Sequence, residues 1–246
     1  MSARAVLLEV GLLYLLTLVA IRLLVVSVQG LGLPEVLLAG VPVLFMYAPV
    51  WSARLRGADP WDYPMALPDW PWRDPDSWGA AVRWGVGLAA LVAVPFLVGY
   101  HVWQTQGLPF VQDLIGIRLV PVVPALQWTW PVQPIRLVAY HLFFVAIPEE
   151  MFYRGYIQTR LAELWPDRWR VFGTLVGPSL LVTSVIFALG HTLVIFQWWH
   201  AFIIVPSLAF GWLRNRTGGI LAGALFHAFC NVTVSTLDTL YGIVPP

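Results

Sequence analysis

The N-terminal segment Ala5–Val28 reads AVLLEVGLLYLLTLVAIRLLVVSV, and its only charged side chains are Glu9 and Arg22. A helix of about 20 mostly apolar residues is long enough to cross the hydrocarbon core of a bilayer. The segment is too long for the apolar region of a signal peptide, and it lacks a small-x-small cleavage site. We therefore predict that it is retained as the first of several transmembrane helices.

The whole chain shares the apolar character of this segment. Of its 246 residues, 59% are hydrophobic and 11% are charged, and that charged share is roughly half of the share usual in soluble domains. This composition predicts an all-α, polytopic transmembrane helical bundle and excludes soluble, fibrous and disordered proteins. A net charge of +1 with no basic stripe gives no indication of a nucleic-acid partner. The single cysteine, Cys230, excludes an intramolecular disulfide.

Hydropathy divides the chain into about seven to eight spans. The loop Arg54–Ser77 is rich in Pro, Trp and Asp and is predicted to lie at the membrane interface. The loop Trp103–Pro134 contains five prolines and leaves open a re-entrant segment or an eighth helix. The seven predicted spans are Ala5–Val28, Pro34–Ser52, Trp78–Val102, Ile135–Gln158, Gly173–Phe196, Trp198–Leu213 and Gly218–Gly242.

The arginines predict the orientation of these spans. All 14 basic residues are Arg, which is typical of a GC-rich bacterial gene. With the N-terminus inside, the outer ends of the spans carry only Arg118 and Arg136. Positive charge favours the cytoplasmic side, so we predict a multi-pass protein of the cell (inner) membrane with a cytoplasmic N-terminus. The inner ends carry Arg4, Arg54, Arg56, Arg73, Arg83, Arg160, Arg168, Arg170, Arg214 and Arg216.

Charged groups within spans are costly, so each is a functional candidate until it is explained. The fourth span contains the sequence PEEMFYR at residues 148–154. Glu150 and Arg154 are four residues apart, so they share a helix face and are expected to pair. Glu149 lies about 100° away around the helix and has no such partner, which suits a general base. Three charged residues of the first two spans are expected to pair or to reach the membrane surface: Glu9, Arg22 and Glu35.

Two later spans carry histidines. The fifth span contains FALGH at residues 187–191, and the last contains HAFCN at residues 227–231. His227 and Asn231 are four residues apart on one helix face, so they could donate two hydrogen bonds to one oxygen atom. A packing role remains open for His191, and contact between helices remains open for the other two residues.

Depth in the membrane decides whether these groups can meet. A helix rises about 1.5 Å per residue. If the fifth helix starts at Pro178, then Glu149, His191, His227 and Asn231 lie within a layer about two turns thick. If the fifth helix starts at Gly173, His191 lies about 7 Å deeper and outside the layer that the other three residues share.

The three stretches together resemble the CPBP intramembrane protease family, which includes the CAAX prenyl endopeptidases and, among bacterial members, the myxosortases. The family pattern EExxxR, FxxxH and HxxxN occurs here in order, at Glu149–Arg154, Phe187–His191 and His227–Asn231. The sequence GWLRNRTG at residues 211–218 is also similar to the family. The resemblance implies a glutamic endopeptidase without a cofactor. It implies a catalytic helical core at residues 135–246, preceded by N-terminal transmembrane helices with interfacial loops at residues 1–134.

The resemblance also implies residue roles. Glu149 would activate a water molecule, and His191 would hold that water. His227 and Asn231 would stabilise the oxyanion, a task that suits preorganised donors in a dry cavity. The substrate would be a membrane-anchored protein or peptide, cut near its membrane-embedded end. The supporting residues would be Glu150, Arg154 and Phe187.

Three other interpretations stay open to different degrees. Glu149, His191 and His227 form a two-His, one-carboxylate set that a zinc-dependent metalloprotease could use, although the zinc signature HExxH is absent. Cys230 points away from the face shared by the last motif, which disfavours it as a nucleophile. A non-catalytic transporter, immunity or scaffold protein is the third. Transporters usually show two related halves, and the halves of this chain do not match.

Overall fold

The computed structural model describes residues 2–67, 75–119 and 125–243, and the regular secondary structure within them is helical apart from one short hairpin. The helix α3 (Pro75–Val102) continues through a wider, π-helical turn at Trp103–Gly107 into Leu108–Ile115. The helix α4 (residues 134–162) is a continuous helical run whose turns alternate between α and π geometry. The seven helices are α1 (Ala3–Leu31), α2 (Gly40–Leu55), α3 (Pro75–Val102), α4 (residues 134–162), α5 (Pro178–Val194), α6 (Ile204–Thr217) and α7 (Leu221–Leu240).

Short 3₁₀ turns and two strands join these helices. One 3₁₀ turn leads into α2, a second lies in the loop after it, and a third leads into α6. The strands β1 and β2 pair antiparallel, with Arg170 opposite Leu175. The bounds are Glu35–Ala39, Pro60–Asp62 and Trp198–Ile203 for the 3₁₀ turns, and Trp169–Val171 and Thr174–Val176 for β1 and β2.

An all-α membrane protein is therefore confirmed, while the number of spans stays a prediction. Among the described residues, three helices are long and apolar enough to cross a bilayer: Ala3–Leu31, Glu35–Leu55 and Ser77–Ile115, with mean hydropathies of 2.3, 1.8 and 1.9. The outer face of α1 exposes large apolar side chains such as Leu16 (67% exposed) and Leu23 (62% exposed). A row of exposed leucines is stable where lipid covers it.

Two predicted segment boundaries need correction. The fifth span was expected from Gly173, but α5 begins at Pro178 because the preceding residues form the hairpin. Phe172 and Gly173 at its tip both have positive φ values, 47° and 79°, as a tight two-residue hairpin turn requires. The sixth span was expected to end at Leu213, but α6 continues to Thr217 and ends where Gly218 adopts a left-handed conformation.

The structure describes most of the Trp103–Pro134 loop, in which the sequence left an eighth helix possible. Its first residues continue α3 up to Ile115, and residues 116–119 and 125–133 are not helical. Residues 120–124 lie outside the described residues. Within the described part, the loop therefore contains no separate helix. In the Arg54–Ser77 loop, residues 68–74 also lie outside the described residues.

The helix α4 lies at the centre of the apolar core. Every residue from Phe152 to Gln158 is buried, and the core cluster around them extends from Val6 in α1 to Phe226 in α7. Pro148 has no N–H to donate to the preceding turn, and it lies between the two π-helical turns of α4, Tyr140–Ala146 and Met151–Gln158. Such widened turns are frequent at functional sites.

The division of the chain at residue 134 stays a prediction.

Glu9, Arg22 and Glu35, the charged residues of the first two spans, differ in their contacts and exposure. Glu9 pairs with Arg56 (2.9 Å) and with the buried Arg160 (2.8 Å), so a partly buried ionic cluster joins α1 to the end of α2 and to α4. Arg22 donates to the backbone carbonyl of Val194. Glu35 is exposed.

Candidate active site

The adjacent carboxylates of α4 face different partners. The side chain of Glu149 is 12% exposed, whereas that of Glu150 is fully buried. Consecutive residues of a helix point about 100° apart, so the two groups occupy separate surroundings although they are neighbours in sequence. This separation allows one carboxylate to be bound by the protein while the other faces a space between helices.

Glu149 lies opposite two histidines. Its Oε2 atom is 3.8 Å from Nε2 of His191 on α5 and 3.8 Å from Nε2 of His227 on α7. The same oxygen is buried and has no hydrogen-bond partner among the described residues. Separations of this size are too long for direct hydrogen bonds and suit a water molecule that bridges the groups.

Glu150 is held by a buried set of polar contacts. Its Oε1 atom is 3.2 Å from NH1 of Arg154, as the spacing of four predicts, and 3.1 Å from Nδ1 of His227. Arg154 also donates to the hydroxyl (2.6 Å) and the carbonyl (3.2 Å) of Ser207 on α6. A buried charge is tolerated only where partners surround it. These contacts supply partners for Oε1 of Glu150 and for NH1 and NH2 of Arg154, whereas Oε2 of Glu150 and Nε of Arg154 are buried without a hydrogen-bond partner among the described residues.

Aromatic rings fix the orientation of both imidazoles. The ring of Phe210 on α6 stacks on His227, with centroids 4.6 Å apart and planes 15° apart. Phe187 lies 4.6 Å from His191 and 5.7 Å from His227, and its ring also lies 4.3 Å from the guanidinium of Arg154. A cation near an aromatic ring is stabilised by the ring quadrupole. The Phe187 ring therefore lies beside both histidines and beside Arg154.

The tautomer of His191 follows from its backbone contact. Its Nδ1 atom lies 2.9 Å from the carbonyl oxygen of Phe187. A carbonyl can only accept a hydrogen bond, so Nδ1 carries the hydrogen. In the neutral ring, Nε2 then presents a lone pair toward Glu149.

The comparison with known families adds to this geometry. Residues 131–233 match the family model described as "Rce1-like: Type II CAAX prenyl endopeptidase Rce1-like". Residues 131–233 are therefore similar to the CAAX protease-like family. The matched segment contains the EExxxR, FxxxH and HxxxN stretches, and the resemblance drawn from those stretches is confirmed. No curated protein and no solved structure matches the chain.

The CAAX protease-like family is one of peptide hydrolases, so the matched segment is a protease module in a membrane protein. Asn231, which the HxxxN stretch singles out, lies one turn after His227 and is half-buried. It makes no hydrogen bond to the described residues. No group of three or more His, Cys, Asp or Glu side chains in the described part of the chain is arranged to hold a metal ion.

Four residues around the cluster were not anticipated from sequence. Ser207 and Phe210 contact the cluster from α6 but belong to no polar motif, and serine and phenylalanine are ordinary in an apolar helix. The ring of His200 lies 5.9 Å from that of His191. The sequence signal for His200 was that it is a histidine to which no motif assigns a role. A Cβ at Gly223 would lie 3.0 Å from Oε2 of Glu150, which is a close approach that only a glycine allows.

Proposed function

We propose that the protein is an intramembrane endopeptidase in which Glu149 activates a water molecule to hydrolyse a peptide bond. The observation that carries this proposal is the buried, unpartnered Oε2 atom of Glu149, equidistant at 3.8 Å from the Nε2 atoms of His191 and His227. A water in this space has a carboxylate acceptor beside it, which is the geometry that a general base needs.

Two acceptors would orient the attacking water. One water hydrogen points to Oε2 of Glu149, and the other points to the lone pair on Nε2 of His191. A lone pair of the water oxygen is then directed at the substrate carbonyl carbon. As the C–O bond forms, Glu149 takes the first proton, and it returns that proton to the amine when the C–N bond breaks.

The developing oxyanion needs donors on the opposite side of the carbonyl. Nδ1 of His227 lies 3.1 Å from Oε1 of Glu150, and this contact orients the ring so that Nε2 faces the space beside Glu149. In this proposal Nε2 of His227 supplies one donor to the oxyanion. The amide of Asn231, one turn along α7, supplies the second donor. Donors of this kind are effective in a site that excludes water.

The substrate class follows from the family name and the apolar helices. We propose a membrane-anchored protein or peptide that is cut near its membrane-embedded end. The arginine distribution supports a cytoplasmic N-terminus in the cell inner membrane.

The variant Glu149→Gln tests the catalytic proposal, because glutamine keeps the shape of the side chain and removes the base. Termini of membrane proteins are compared by proteomics in cells that carry the wild type, Glu149→Gln or the control Glu163→Gln, whose side chain is 47% exposed outside the cluster. We expect the processed termini to be lost only with Glu149→Gln. For a purified substrate identified in this way, the rate should fall by about 10²- to 10⁴-fold. Unchanged termini would favour a non-catalytic role.

A chelator separates this mechanism from the zinc-dependent alternative that the residue types of Glu149, His191 and His227 left open. With a substrate in hand, activity is measured with and without a chelator and after addition of zinc. Complete loss followed by recovery with zinc would overturn the metal-free mechanism. Unaffected activity is the expected result.

A further inference from the structure

A second polar cavity lies away from the glutamate cluster, between the β1–β2 hairpin and the end of α6. Its volume is about 420 Å³. Three arginines line it, Arg170 from the hairpin and Arg214 and Arg216 from the last turn of α6, together with Asp167 and Thr174. Nothing in the proposed peptide hydrolysis uses this cavity.

The cavity carries an excess of positive charge. In the described part of the chain, none of the three arginines forms an ion pair. Arg170 donates to the carbonyl of Gly173 (3.3 Å), and Arg214 donates to Asn215 (2.9 Å) and to Thr159 (2.6 Å). Three cations and one carboxylate therefore leave about two positive charges at this site, and a bound anion would balance them.

Hydrogen-bonding capacity is also unused around the cavity. The Nε atom of Arg214, the Oγ1 atom of Thr174 and one acceptor, Oδ1 of Asp167, are buried and have no hydrogen-bond partner among the described residues. Buried donors without a partner are rare in folded proteins and call for an explanation. A bound group with several acceptor oxygens would supply the missing acceptors.

The surroundings of the cavity place it at the membrane surface. The hairpin exposes Trp169 and Phe172, the latter by 89%, and Trp212 on α6 donates to the carbonyl of Val171 (2.9 Å). The guanidinium of Arg216 lies 4.4 Å from the ring of Trp84 on α3. Tryptophans concentrate at the level of the lipid headgroups, where phosphate groups are abundant.

A purely structural role explains only part of this arrangement. Arginines in the last turn of a helix stabilise its negative C-terminal end, and that accounts for Arg214 and Arg216. Arg170 comes from a different element, and its charge faces the same open cavity. Packing at a helix end does not require that convergence.

We propose that this cavity binds a phosphate group, supplied by the headgroup of an anionic lipid or by free phosphate. Arginine suits this ligand because its planar fork of donors matches phosphate oxygens. The ligand would hold the hairpin against the end of α6, independently of substrate at Glu149.

Binding to the purified full chain in detergent micelles tests the proposal. The probes are phosphatidylglycerol, phosphatidylcholine and inorganic phosphate, and retained lipid is quantified by native mass spectrometry. The test variant is Arg170→Gln with Arg216→Gln, two exposed side chains whose replacement leaves the bonds of Arg214 intact. The control is Arg118→Gln with Arg136→Gln, which removes equal charge from the predicted opposite side of the membrane.

We expect the wild type and the control to prefer phosphatidylglycerol over phosphatidylcholine. Affinity in the test variant should fall by roughly 30-fold, since each of the two arginines near anionic lipid contributes about fivefold. Competition by inorganic phosphate would assign the site to the free anion, and the absence of competition would assign it to the lipid headgroup. Equal affinity for the two lipids without competition by inorganic phosphate, or equal loss in the test and control variants, would overturn the proposal.

Discussion

The variant Glu150→Gln should destabilise the protein strongly, because it leaves a buried cation without its counter-ion. The side chains of Glu150 and Arg154 are both fully buried and lie 3.2 Å apart. Removal of one partner of a buried ion pair costs about 3–5 kcal/mol. Arg154 keeps its two bonds to Ser207, and glutamine keeps one acceptor oxygen. We therefore expect a loss at the lower end, about 3 kcal/mol.

The variant Glu163→Gln is a matched control with the same chemical change. Glu163 also pairs with an arginine, Arg160, but its side chain is 47% exposed, and Arg160 keeps its bond to Glu9. Exposed pairs of this kind contribute about 0.5 kcal/mol. Unfolding of the purified full chain in detergent micelles should therefore separate the two variants by about 2–3 kcal/mol.

Two further results decide whether the ion pair is the cause. The double variant Glu150→Gln with Arg154→Met removes both charges, so it should be less destabilised than Glu150→Gln alone. If Glu150→Gln loses no more stability than Glu163→Gln, or if the double variant shows the sum of two independent losses, then the buried pair does not act as described.

Two other predictions concern the packing of α1 and α5. A Cβ at Gly190 would lie 2.7 Å from the hydroxyl of the buried Tyr153, so Gly190→Ala should cost about 1–3 kcal/mol. Gly99→Ala, where no atom lies within 4 Å, should be neutral in the same unfolding assay, and equal losses would contradict the contact. Glu9→Gln should cost about 3 kcal/mol because it removes the counter-ion shared by two arginines. The exposed Glu35→Gln should change stability by about 0.5 kcal/mol or less, and a similar loss there would refute the role of the cluster.

Contacts between residues close in sequence were predictable. The pairing of Glu150 with Arg154 follows from helix geometry alone, and so does the divergence of Glu149 from its neighbour. The grouping of Glu149 with the two histidines depended on where α5 begins. The start at Pro178 is the alternative that places them at one depth, and the 3.8 Å separations agree with it.

Contacts from distant segments were not predictable from one sequence. The hairpin was missed because its strands have three residues each, and because the second strand, Thr174–Val176, was taken as the start of the apolar span that follows. Its signal was the Phe172–Gly173 turn between β-branched and aromatic residues. Ser207 was missed because its contribution arises only when α6 packs beside α4. The positions of charged residues along the sequence likewise do not reveal that Glu9 contacts Arg160, which lies 151 residues away.

The two glutamates show why adjacent carboxylates can differ in function. Oε1 of Glu150 has two partners, Arg154 and His227, which hold the carboxylate in place. Glu149 has the histidines near but beyond hydrogen-bond distance, so its buried Oε2 atom can still accept a hydrogen bond, and then a proton, from a bound water. Glu150 is thus engaged by the protein, whereas Glu149 faces the space in which a water can bind. Of the two carboxylates, Glu149 is therefore the one suited to act as a base, and the reason is its position on the helix.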